Sequence, residues 1–164
     1  MSIEARTRIA QQFKLRHATA ADRETLMAMY ESFEPKGAAL GLPLRCNTER
    51  WLDQLSPYPN FVLLAEGRVI GYAVLCPEGD SAEVAVFVHQ HYRGLGLGRK
   101  LLGALLDEAR RRSLRRVWGI TELYNITMLR LVHSFSFSFG QDPGEFWLEL
   151  ESANNLSAAV ARAA

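Results

Sequence analysis

The chain alternates short apolar stretches with polar breaks, and the spacing within each stretch separates strands from helices. Phe13 to His17 (FKLRH) alternates apolar and polar residues, the period of a strand with one face buried. Thr19 and Asp22 stand three residues apart as in a capping box, and Leu26, Met29, Tyr30 and Phe33 follow at helical spacing. The glycines and prolines of Pro35 to Pro43 predict a loop. A short helix over Asn47 to Leu55 is then closed by SPYPN. Phe61 to Glu66 and Val69 to Cys76, with a Gly-Arg turn between them, read as a hairpin, and a PEGD turn leads to a third strand, Ala82 to Val88. From Leu97 to about Arg112 the apolar positions Leu101, Leu105 and Ala109 form the buried stripe of a helix. Arg116 to Thr121 is another strand, Ile126 to His133 a short helix, and FSFSF and EFWLELE two closing strands. Residues 1–12 read as a polar lead-in, 13–151 as one domain, and 152–164 as a small, polar tail. This order predicts a mixed, mostly antiparallel sheet with helices on its faces, of the α/β (α+β) kind.

Composition narrows the class of function. With 19 Lys and Arg against 18 Asp and Glu, the net charge of +1 in 164 residues lacks the basic excess of a general nucleic-acid binder. No apolar run approaches the roughly 20 residues that span a bilayer, and MSIEARTRIAQQ has no apolar leader core. Cys46 and Cys76 are far apart and form no CxxC pair, which argues against a disulfide scaffold or a cysteine zinc site. The expectation is a cytoplasmic protein that binds neither nucleic acid nor membrane. His89 and His91 have no identifiable third ligand, so no metal is expected.

Tyr92 to Leu102 (YRGLGLGRKLL) carries the most information. Glycines directly before an amphipathic helix let a ligand approach the backbone, and the helix N-terminus offers free N–H groups to an anion. The segment is neither a P-loop nor the GxGxxG dinucleotide fingerprint. On the glycines alone, a plain strand-to-helix turn is the other reading.

Arg93-Gly94-Leu95-Gly96-Leu97-Gly98, following VAVFV and opening the long helix, resembles the signature of the GCN5-related N-acetyltransferase (GNAT) family. The resemblance runs from about Phe13 to Glu151 and follows the family's order of elements. It implies acetyl-CoA as cosubstrate, with its pyrophosphate on the backbone N–H groups of Arg93, Gly94, Leu95, Gly96, Leu97, Gly98 and Arg99. It also implies that the strand at Val86, Phe87 and Val88 pairs with the pantetheine arm, chiefly through the backbone of Val86 and Val88. Asn125 matches a family Asn that opens the next helix and contacts the cofactor. Phe137 falls on the family Phe, but Ser136 replaces its Gly partner, so a different local backbone is expected there. Val132 stands where many relatives carry a general-acid Tyr. AEVAVFV, GLGLGRKLL, GIT and NxxM together look like the domain of bacterial protein-lysine acetyltransferases, which use a strand Glu as base; Glu83 is the matching residue.

The chemistry asks for a base. A lysine-type amine, pKa near 10.4, is almost wholly protonated at pH 7 and has no lone pair to attack with. Glu83, in an apolar strand, would have its pKa raised by partial burial; it also reads as a solvent-facing glutamate on a half-exposed strand. Glu122, just beyond the next strand, is the alternative base, and a backbone N–H near Val88 would meet the oxyanion. A thiolate leaves without much need of an acid, which makes Val132 tolerable; Tyr124 is the nearest spare phenol. Arg110, Arg111, Arg112, Arg115 and Arg116 form a basic run that suits a helix C-terminus, with CoA phosphate or an acidic surface as the functional alternatives. The reading is an N-acetyltransferase acting on a primary amine, either a protein lysine or a small amine such as a polyamine, amino acid or antibiotic. A non-catalytic acyl-CoA-sensing module is the alternative from another class, and a homodimer is expected from the family.

Overall fold

The computed structural model describes residues 13–34 and 48–150. The expected lead-in, the Pro35 to Pro43 loop, Cys46 and the tail lie outside the described residues. The elements are β1 (Lys14–His17), α1 (Arg23–Glu31), α2 (Thr48–Leu55), β2 (Asn60–Ala65), β3 (Arg68–Glu78), β4 (Ser81–Val88), α3 (Leu97–Arg111), β5 (Arg116–Ile120), α4 (Ile126–His133), β6 (Ser138–Phe139) and β7 (Glu145–Glu149). The strands form one seven-stranded sheet in the order β1-β2-β3-β4-β5-β7-β6. Only β4 and β5 run parallel, which the helical crossover α3 allows; the other neighbours are antiparallel.

Two turns differ from the sequence reading by a residue or two. The first hairpin turns at Glu66 and Gly67, both with positive φ (49° and 78°), and Arg68 already pairs with Ala65. Two left-handed residues make the tight turn whose twist suits a hairpin. At the second, β3 continues through Pro77 to Glu78, which pairs with Ser81. The register puts the nitrogen of Pro77 on the side toward β2, beyond the pair Asn60 and Val74 that ends β2, so its missing N–H breaks no ladder bond.

The middle strands are covered on both faces, which explains why their sequences are apolar runs rather than alternations. On one face α3 buries Leu97, Leu101, Leu102, Leu105, Leu106 and Ala109, and Gly71 on β3 lets Leu101 come in close. On the other, Leu26, Met29, Tyr30 and Phe33 of α1 and its end, with Leu52 of α2, pack on Val62, Tyr72 and Phe87. Asp22 fixes the start of α1: its carboxylate takes two bonds from Arg16 (2.6 and 2.7 Å) and two from Thr19 (2.8 and 2.9 Å). The guanidinium and these donors hold the carboxyl far below the usual carboxylate range.

After α4 the chain turns at Ser136. Its φ is +62°, the left-handed conformation that a glycine would adopt freely, so the turn survives the substitution at a local cost. Phe137 then enters the core, 5% exposed, and the FSFSF strand shrinks to Ser138 and Phe139.

Candidate active site

β4 and β5 are in register for three pairs, the last being Glu83 with Trp118. Beyond them β5 stays with β7 while β4 runs on to Val88, so the sheet forks. The bond from His89 N–H to Ile70 C=O (2.9 Å) sets the phase of the β3–β4 ladder. By alternation, the backbone groups of Glu83, Ala85 and Phe87 face β3, whereas those of Val84, Val86 and Val88 face the fork. An open strand edge of this kind accepts an extended ligand as an added strand.

A cleft of about 540 Å³ occupies the fork. Of the cofactor-binding residues expected from the sequence, Val86, Phe87, Val88, Arg93, Gly94, Gly96, Leu97, Gly98, Arg99 and Asn125 line it. Leu95 is the exception: its side chain packs against the core on the α3 face of the sheet. Phe33, Tyr92, Met128 and Leu131 also line the cleft and were not singled out as cofactor residues. Their sequence signal is that of ordinary core residues at helical spacing.

The glycines have separate tasks. Gly94 and Gly96 both sit at φ +77°, and Gly96 is the N-cap of α3. The first N–H groups of the helix, at Leu97, Gly98 and Arg99, have no carbonyl within the helix to bond and are free for an anion. At Gly98 a Cβ would come 3.3 Å from Leu131 and 3.9 Å from Val88, so this glycine sets how closely α3, α4 and β4 converge. Free N–H donors at one end of the cleft and an open strand edge along it fit an extended pyrophosphate ligand.

Arg93 braces the site. Its Nε donates to the Val88 carbonyl (2.9 Å), a second nitrogen donates to the Glu34 carbonyl (2.6 Å), and the guanidinium lies 5.1 Å from the Phe33 ring centre. The Val88 carbonyl is therefore occupied, which leaves Val86 as the better-placed backbone partner for a ligand in the fork. Asn125 caps α4: its side chain accepts from Met128 N–H (3.2 Å) and donates to the Thr121 hydroxyl (3.0 Å). Thr121, which sequence reading missed, is buried, and its N–H donates to Gly144 (2.9 Å), tying the end of β5 to the β6–β7 hairpin.

Neither expected base lines the cleft. Glu83 stands at the fork on the opposite sheet face from Val84, in register with Cys76 and Trp118. Its carboxyl is raised above the ordinary glutamate value, first by partial desolvation and then by the charge of Glu78. Glu122 follows β5, and its carbonyl accepts from Asn125 N–H (2.9 Å). Val132 is fully buried in the core, and Tyr124, 65% exposed, stands at the cleft.

The remaining candidates find structural roles. Arg110 pairs with Asp107, Arg111 and Arg112 with Glu108, Arg115 with Asp80 and Arg116 with Glu149, so each cation of the basic run has a carboxylate. His89 contacts the Ser32 hydroxyl (3.2 Å), and among the described residues no group of three or more His, Cys, Asp or Glu is placed to hold a metal. The Cys76 thiol is pushed up to about 11 by burial and by Glu83, the wrong direction for a nucleophile. No helix of the described residues is long and apolar enough to cross a membrane.

A forked sheet with an open strand edge and a glycine-capped helix N-terminus at one end of the fork suits an extended ligand such as an acyl-CoA. The chain belongs to the acetyltransferase (GNAT) family, whose sequence pattern matches residues 15–137, and it is an acetyl-CoA-dependent N-acetyltransferase. It is 33% identical over 138 residues to the L-methionine sulfoximine/L-methionine sulfone acetyltransferase of Salmonella typhimurium, covering 76% of this chain and 79% of that protein. The structure of yncA, an acetyltransferase from Salmonella typhimurium with its cofactor acetyl-CoA, superposes with a TM-score of 0.71 at 30% identity, over 85% of this chain and 95% of that one. The ribosomal-protein-alanine N-acetyltransferase of Brucella melitensis does so at 0.69 and 30% identity, over 84% and 99%.

Proposed function

We propose that this enzyme acetylates a primary amine by direct attack in a ternary complex, with Glu83 as general base. The observation that carries the reading is the fork itself. Acetyl-CoA laid along the open edge of β4, with its pyrophosphate at Leu97 to Arg99, would bring the thioester to the end of the fork at Glu83 and Trp118. The amine then approaches from the face on which Glu83 stands.

In this reading the ammonium gives its proton to Glu83, and the neutral nitrogen attacks the thioester carbonyl. A backbone N–H of β4 facing the fork meets the oxyanion; Val86 suits this better than Val88, which lies nearer the pyrophosphate end. The C–S bond breaks as the C–N amide bond is completed; of the two protons the nitrogen loses, the first passes through Glu83 to solvent and the second ends on the CoA thiolate as free thiol. No donor replaces the missing tyrosine at the buried Val132, and a thiolate leaves adequately without one.

Of the relatives described above, one is named for an amino-acid derivative, L-methionine sulfoximine or sulfone, and one for the alanine of a ribosomal protein. The test is turnover of acetyl-CoA against a panel of amino acids, polyamines and peptides, beside thermal melting with and without acetyl-CoA. Stabilisation by acetyl-CoA and transfer to at least one amine are expected. Binding without transfer to any member would overturn the proposed acceptor class.

A further inference from the structure

Among the described residues the sheet is unevenly covered, and the part without a helix over it adjoins Glu83. On the face that carries Glu83, α1 and α2 pack on β2, β3 and β4. From the start of β4 at Ser81 outward, that face carries Arg116 and Trp118 of β5 and Glu145, Trp147 and Glu149 of β7, which alternate with the buried Val117 and Phe146 on the helix-covered face. They line a second cleft of about 520 Å³, open along the sheet. Its floor is continuous with the base: Glu83 pairs with Trp118, and Trp118 with Trp147.

The charges of this cleft do not cancel. Arg116 is held by Glu149 (2.6 Å) and Arg115 by Asp80 (3.6 Å), which leaves the carboxylate of Glu145 as uncompensated charge in the lining. That carboxylate lies over Gly140, where any Cβ would collide with it, so the hairpin is built to leave it room. Two strand spacings and two residues along the strand put the backbones of Glu83 and Glu145 roughly 12 Å apart, with Trp118 and Trp147 in the cross-strand row that leads from Glu83 to the strand of Glu145. Indole faces attract organic cations, and aliphatic chains lie well on them. A face this rich in charge is unlike the core of a protein–protein interface, where charged residues are depleted. A free amino acid would place its carboxylate in an acidic cleft.

We infer that the Trp118–Trp147 cleft is an acceptor subsite that takes the distal cationic end of a linear aliphatic polyamine, with its reacting amine at Glu83. The inference rests on the amine-acetyltransferase reading above and names the class of acceptor. The methylene chain lies across the indoles and the far ammonium meets Glu145.

Spermidine and butylamine, which differ in the distal cationic arm, are compared as acceptors at saturating acetyl-CoA. Spermidine should have the larger kcat/KM by about a hundredfold. Glu145→Gln should cut that selectivity about tenfold, mainly through the KM for spermidine, and Glu145→Asp should restore most of it. Trp147→Leu should act in the same direction, with its melting curve confirming that it folds. Equal use of the two amines, preference for an amino acid or peptide N-terminus, or an unchanged spermidine KM in Glu145→Gln overturns the inference while leaving the acetyltransferase reading intact. Absence of acetyl-CoA binding would instead defeat both.

Discussion

Glu83 and Trp118 form the last registered pair between β4 and β5, so the proposed base stands where the two strands part. Within β3–β4, Glu78 lies on the same face, paired with Ser81 one step from Cys76 and Glu83. That closeness makes Glu78 a means of tuning Glu83 without touching it. A neighbouring negative charge raises a carboxyl pKa, and Glu78 is the second cause of the rise at Glu83 after desolvation. Glu83 works as a base only when ionised, so activity should fall as pH falls through its raised pKa. Glu78→Gln removes the like charge, lowers that pKa and should shift the acid limb of the kcat/KM profile to lower pH. An acid limb that stays in place, or moves up, would detach Glu83 from the titration.

Ser136 at φ +62° stores a cost that a glycine would not carry. Ser136→Gly should stabilise the protein by about 0.5–1 kcal/mol, the left-handed penalty less glycine's greater freedom in the unfolded chain. Urea unfolding measures the change, and a loss of stability would mean that the serine makes compensating contacts.

The two glycines at the head of α3 should fail differently when replaced by valine. Gly96→Val forces a β-branched residue to φ +77° and should lower both the melting temperature and acetyl-CoA affinity. Gly98→Val pushes on Leu131 and Val88 and narrows the cleft, so affinity should drop tenfold or more with a smaller loss of stability. Calorimetric titration with acetyl-CoA beside thermal melting separates the two. Folded variants with unchanged affinity would reduce the segment to a turn.

Much of the fold was legible because its signals are local. The spacing of Leu101, Leu105 and Ala109 and the boundaries of α4 at Ile126 and His133 are those the pattern predicts, and Gly94, Gly96 and Gly98 line the cleft at the head of α3. Less legible was whatever depends on register. The first hairpin turn differs from the pattern because Glu66, unlike Gly67, carries no sequence sign of a left-handed conformation, and the second because Pro77 and Glu78 have turn-like identities yet extend β3. The bracing role of Arg93 depends on Glu34 and Phe33, 59 and 60 residues earlier, a contact that no periodicity announces. Nor does the cleft at Trp118 and Trp147 appear before β5 and β7 are paired.

Tyr124 tests whether any acid is needed. It is exposed at the cleft, while Val132, the usual place for the acid, is sealed in the core. Tyr124→Phe keeps the ring and removes only the hydroxyl, so kcat should stay within a few-fold of wild type. A fall of about 10²-fold with unchanged acetyl-CoA affinity would make Tyr124 the acid instead.

Deprotonation of the amine by Glu83 at the fork is tested most directly by the pH dependence of acetyl transfer by Glu83→Gln beside wild type. Acetyl-CoA affinity should be nearly unchanged, because Glu83 lies outside the cofactor cleft. Turnover at neutral pH should drop by about 10²-fold or more, and the deficit should shrink as rising pH supplies neutral amine without help. A variant that keeps wild-type turnover and the wild-type pH profile would contradict the account and move the base elsewhere, to Glu122 or to water.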